Sequence, residues 1–149
     1  MTQMLQAADE REALEMLHTQ GLTDGLPVVI PTAERVDRLV LATGLQGAQV
    51  LGEMGPGGGA ATVEKIAISA VMAGCLPDHM PVVLAAINAI LQPEFDLTEM
   101  QATTHCTAPL IIVNGPARFA CGGIASGFGA LGPGFRANAS IGRAVRLAM

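Results

Sequence analysis

Apolar residues fall in short blocks along the chain, each closed by glycine or proline, and their spacing changes from block to block. From Ala8 to Gln20, Leu14, Met16 and Leu17 lie opposite Asp9, Glu10, Arg11 and Glu15, which predicts an amphipathic helix closed by Gly21. Gly21–Gly25 is turn chemistry, and the β-branched run Leu26–Ile30 predicts a buried strand. Thr32 is placed to cap the next helix, with Glu34 in its first turn, Val36, Leu39 and Val40 as its stripe and Gly44 as its stop. Val50-Leu51 fits a second strand. Gly55-Pro56-Gly57-Gly58-Gly59 reads as a flexible loop leading into a helix capped by Thr62 and running to about Gly74. Pro77 breaks the chain, and Pro81 suits the first position of a helix over 81–91. Both of these helices are apolar nearly all round, the signature of burial.

Leu110–Val113 predicts another buried strand, ended by Asn114-Gly115-Pro116. The stretch Gly122–Gly134 holds six glycines in thirteen residues, and Phe128, Leu131 and Phe135 argue that it is ordered. A last helix over Ala137–Ala148 carries Ile141, Val145 and Leu147, and is still apolar where the chain stops. The fold class expected is α/β. The 149 residues form one compact Gly-rich domain with a central pair of buried helices and a small sheet.

Composition sharpens this. Apolar residues make up 50% of the chain and charged residues 14%, with a mean hydropathy of +0.46. So thin a polar coat points to apolar surface covered by another chain, either a second protein or a copy of this one. A net charge of -5 with no Trp and no Tyr argues against nucleic acid, because neither phosphate neutralisation nor base stacking is supplied. No apolar run reaches the roughly 18 residues of a membrane span. The N-terminal MTQMLQAADERE lacks a signal peptide's basic and apolar regions. Three cysteines, an odd number, read as free thiols in a cytoplasmic protein.

Chemistry concentrates in three places. Cys75 ends a buried helix beside Gly74, with His79 four residues on, close enough to tune a thiolate if the turn stays helical. A buried structural thiol is the alternative. Thr103-Thr104-His105-Cys106 sets hydroxyls, imidazole and thiol in adjacent positions. It reads as a nucleophile–base pair, as half of a metal site completed elsewhere, or as a polar loop before a strand. The glycine loops form the third feature. Gly57 and Gly58 ahead of Lys65, the only lysine, and Gly132–Gly134 ahead of Arg136 and Asn138 suit an anionic small molecule at helix N-termini. Tight backbone packing needs glycine equally. No dinucleotide or phosphate-loop fingerprint is present, so no nucleotide cofactor is expected, while a metal ion stays open.

The stretches GLTDGLPVVIPTAERV, TVEKIAISAVMAGCLPDHMPVVLAAINAI, ATTHCTAPLIIVNGP and ANASIGRAVRL resemble a little-characterised bacterial family associated with proteins bearing a UGSC selenocysteine/cysteine motif. The resemblance spans Gly21 to Leu147. It implies that this chain corresponds to the N-terminal portion of a split two-chain enzyme. The matching positions are Ala73-Gly74-Cys75, Thr103-Thr104, Asn114-Gly115-Pro116 and Ala137-Asn138-Ala139, so Asn114 and Asn138 join the binding candidates. Cys106 departs from the pattern and Cys121 lies in a variable stretch. Three functions follow. One is an enzyme subunit acting through Cys75 on a small electrophilic or anionic molecule. A second is a metal-dependent hydrolase or lyase with His and Cys ligands. The third is a non-catalytic scaffold subunit that binds a partner.

Overall fold

The computed structural model describes residues 4–149, so the first three residues of the N-terminal stretch lie outside the described residues. Helix α1, Glu10–Thr19, starts where Asp9 accepts a hydrogen bond from the Glu12 N–H at 2.8 Å. Glu10 and Glu12 in its first turn complement the helix dipole. It buries little beyond Leu17. Helix α2, Ala33–Thr43, is capped by Thr32 as the sequence requires. It ends at Gly44, whose φ of +69° lies in the left-handed region that a side chain disfavours.

Strands β1, Val50–Met54, and β2, Gly59–Thr62, form an antiparallel hairpin, the sheet of this mixed α/β fold. Val50 pairs with Thr62, Gly52 with Ala61, Glu53 with Ala60 and Met54 with Gly59, and an irregularity at Leu51 interrupts the ladder. The glycine loop at 55–59 is therefore chiefly a hairpin turn and not a lead-in to a helix. The Gly58 N–H closes that turn on the Met54 carbonyl at 2.9 Å. Gly55 is required by crowding, since a Cβ there would strike Thr98 Oγ1.

Helix α3, Val63–Met72, follows β2 directly, with Thr62 Oγ1 accepting from the Lys65 N–H at 3.2 Å. It buries Val63, Ile66, Ala67, Ala70, Val71 and Met72. A 3-10 turn over Pro77–His79 leads into α4, Met80–Ile90, and a second over Pro93–Phe95 into α5, Leu97–Ala102. One turn of helix, α6, spans Ala117–Ala120, and α7 spans Arg136–Ala148. Helix α3 lies between α7 and α2, its two most extensive partners, while α4 touches α2, α3 and α7. Ala67 and Ala70 of α3 and Ala137 and Ala144 of α7 are buried. Their small side chains let helix backbones approach closely. Among the described residues, no single helix is long and apolar enough to cross a membrane.

Two expected strands are absent. Leu26–Ile30 runs as irregular chain, with Leu26 and Val29 exposed. Its tethers come from elsewhere: the Val29 N–H donates to the Met72 carbonyl at 3.1 Å, and Arg143 donates to the Pro27 carbonyl at 2.9 Å. Leu110–Val113 also forms no strand, and Leu110 and Ile112 are 71% and 73% exposed. The physical reason is common to both. Apolar, β-branched side chains favour a strand, but a strand exists only where a neighbouring strand completes its ladder, and among the described residues no strand pairs with either segment. In the glycine stretch 122–134, Phe128 and Leu131 stand in solvent.

Candidate functional site

The end of α3 and the start of α7 meet at one carbonyl. Gly74, with φ +80°, turns the chain out of α3 and aims its oxygen at α7. Arg136 donates to that oxygen through Nε at 3.0 Å and Nη2 at 2.8 Å, and Ser140 Oγ donates at 3.4 Å. Arg136 and Ser140 are four residues apart on a helix, hence on one face. The arginine expected to receive an anion thus holds the backbone of α3.

Cys75 follows immediately. Its thiol is buried and donates to the Ser140 carbonyl at 3.3 Å. Burial pushes its pKa up from 9.0 to about 12, and the nearby Arg136 charge offsets this only in part. A buried thiolate would lose its hydration without a matching cation, so Cys75 is a neutral hydrogen-bond donor near pH 7. His79 is 1% exposed. Its Nδ1 accepts from the Leu76 N–H at 3.3 Å, closing the 3-10 turn on itself. Burial lowers its pKa, Arg136 lowers it further, and Asp78 and a backbone hydrogen bond to Cys121 act the other way. The expected Cys75–His79 pairing is replaced by these two separate bonds. Cys121, the weakest candidate in sequence, is buried in the same neighbourhood, its thiol donating to the Asp78 carbonyl at 3.3 Å. Burial, and next the Asp78 charge, raise its pKa.

The remaining candidates lie apart from this joint. Thr104, His105 and Cys106 sit on an exposed loop in which Thr103 Oγ1 accepts from the His105 N–H at 3.3 Å. No hydrogen bond joins that loop to Cys75 or His79 among the described residues, and no group of three or more His, Cys, Asp or Glu side chains there could hold a metal ion. Asn114 is exposed before its turn. Asn138 is occupied internally: Oδ1 accepts from the Ala125 N–H at 2.9 Å, and Nδ2 donates to the Ala125 and Ala130 carbonyls. It pins the glycine stretch to α7 from the inside, which accounts for the outward-facing Phe128 and Leu131.

Lys65 donates to the Ala60 carbonyl at 2.9 Å and borders two cavities. The smaller, about 350 Å³, also has Gly57, Ser69 and Met149 in its wall. The larger, about 810 Å³, lies between α1 and the α2–α3 pair and is walled mainly by apolar groups such as Met16, Ile68 and Leu147. Neither is lined by Cys75, His79, His105 or Cys106.

Sequence reasoning missed an ion pair that fixes the 21–30 segment. Arg143 Nε and Nη2 each lie 2.8 Å from an Asp24 carboxylate oxygen, holding that carboxyl at about 2 instead of 3.8. The signal was present only as charge at Asp24 and Arg143, and nothing local links positions so far apart. No protein family, curated protein or solved structure matches the chain in comparison.

Proposed function

We propose that this chain is a partner-binding subunit of a cytoplasmic assembly, and that its working surface is the apolar stretch between positions 103 and 135. One observation carries the reading. Leu110, Ile112, Phe119, Phe128 and Leu131 are each at least 71% exposed within that stretch. A concentration of large apolar side chains in water marks an interaction surface. The other polar candidates speak the same way, since Cys75, His79 and Arg136 in the thiol joint, and Asn138 outside it, use their polar atoms to hold the chain together. The compact Gly-rich frame around α3 and α4 then serves as the support that presents the surface. The family resemblance and the two-chain organisation it implies belong to this same proposal.

Light scattering over a range of concentrations tests it, comparing the native chain with Phe128→Ser/Leu131→Ser. Association weakened by the double substitution supports the reading. A monomer at every concentration that also brings down no stoichiometric companion from its native cytosol overturns it.

A second reading, an enzyme subunit acting on a small anionic molecule, is favoured by Lys65 bordering both cavities. Its test is calorimetric titration with small carboxylates and phosphates, comparing the native chain with Lys65→Met. Equal heats for the two chains would remove it.

A further inference from the structure

The segment Leu110–Asn114 has the form of a strand without its neighbour. The chain runs from Cys106 to Asn114 with no turn or bend. Exposure alternates along it: Ile111 and Val113 pack against the core, while Leu110 and Ile112 face solvent. That is the period of two expected of a strand lying on a helical layer. Yet no N–H or C=O of residues 110–114 makes a hydrogen bond among the described residues. Edges of this kind in monomeric proteins are guarded by charge, especially lysine. Here Met100–Ala117 contains no Asp, Glu, Lys or Arg.

We propose that Leu110–Asn114 pairs antiparallel with the same segment of a second copy of this chain, about a two-fold axis. The proposal rests on the docking reading above and names its geometry. The copy is the occupant because the seam is uncharged, and aliphatic but for Asn114, on both sides. Two chains of net charge -5 therefore meet there without opposing like charges, and each supplies the ladder the other lacks.

The alternation also sets the register. Opposite residues of an antiparallel pair point to the same face. With both helical layers on one side of the ladder, odd positions must oppose odd positions, so the axis passes through a residue. An axis at Ile111 would carry the ladder into Pro109, which fits only where its nitrogen faces away from the partner. An axis at Ile112 uses only residues 110–114, all of which carry an N–H. Ile112 then lies opposite its own copy, Ile111 opposite Val113, and Leu110 opposite Asn114.

Ile112→Lys tests this in the full chain. The side chain is exposed, so the monomer fold is retained, while pairing would set two ammonium groups face to face. Leu41→Lys, at an exposed position on α2, is the control. Light scattering should give twice the 15.2 kDa chain mass for the native protein and Leu41→Lys, and half that value for Ile112→Lys. Amide hydrogen exchange should show residues 110–114 protected in the native dimer and unprotected in Ile112→Lys. A dimer that survives Ile112→Lys, exchanges freely at 110–114 and dissociates in Phe128→Ser/Leu131→Ser overturns strand pairing and leaves the docking reading standing. A monomer carrying a stoichiometric foreign chain does the same. A monomer with no companion overturns both.

Discussion

The Cys75 and Cys121 thiols donate to main-chain carbonyls out of reach of water, whereas Cys106 is open to it. A disulfide reagent at pH 8 should therefore titrate one thiol quickly and two slowly, and Cys106→Ser should remove the fast phase; a fast phase that persists would place the reactive thiol in the joint. A second residue-scale expectation concerns Asp24. Its carboxyl is depressed from 3.8 to about 2, chiefly by the hydrogen bonds from Arg143. A group whose folded value is depressed adds stability above its unfolded value, and that contribution is lost as pH falls from about 4 through about 2. The pair lies at the surface, with about a quarter of each side chain exposed, so its worth is on the order of 1 kcal/mol. Asp24→Asn should cost about that much in urea unfolding at pH 6 and nothing measurable below pH 2. An unchanged difference across that range would assign the loss to something other than the ion pair. Neither Asp24 nor Ser140 stood out in the sequence, because their partners are distant and a single sequence displays only local spacing.

Among the elements, the signals that proved legible are those whose cause lies within one turn. Thr32, Thr62 and Gly44 sit where a cap must sit, and each does what its chemistry allows. Thr62→Ala removes the oxygen that binds the Lys65 N–H at the start of the most buried helix, so it should cost about 1 kcal/mol. Thr62→Ser should restore it, as read from urea midpoints; equal midpoints for the alanine and serine variants would deny the cap its role. Val50-Leu51, expected in a strand, does open β1, but the other two expected strands failed for the opposite reason. Leu26–Ile30 and Leu110–Val113 have suitable side chains, but a ladder needs a second strand, and among the described residues none pairs with them. The hairpin formed because the turn at 55–58 brings β2 back onto β1. For the same reason the sequence placed Gly57 and Gly58 before a helix when a short strand intervenes.

At the scale of the whole molecule, the low charge and high apolar content lead to an expectation of apolar surface covered by another chain, but composition does not say where such surface lies. The exposure of Leu110, Ile112, Phe119, Phe128 and Leu131 locates it. The packing of α7 along α3 has a further consequence, in the timing of synthesis. Some sixty residues separate the end of α3 from the start of α7, which at cellular elongation rates is roughly 3–12 s. Throughout that interval the apolar flank of α3 that α7 will cover has left the ribosome ahead of its lid. A nascent chain halted after Ala120 should consequently pellet with aggregates or engage a holding chaperone more than the full-length chain does. Sedimentation of stalled and completed products from one translation reaction would measure the difference, and equal partitioning would mean that another element shields α3 first. The flank of α3 that α7 covers is thus open for the whole of that stretch of synthesis.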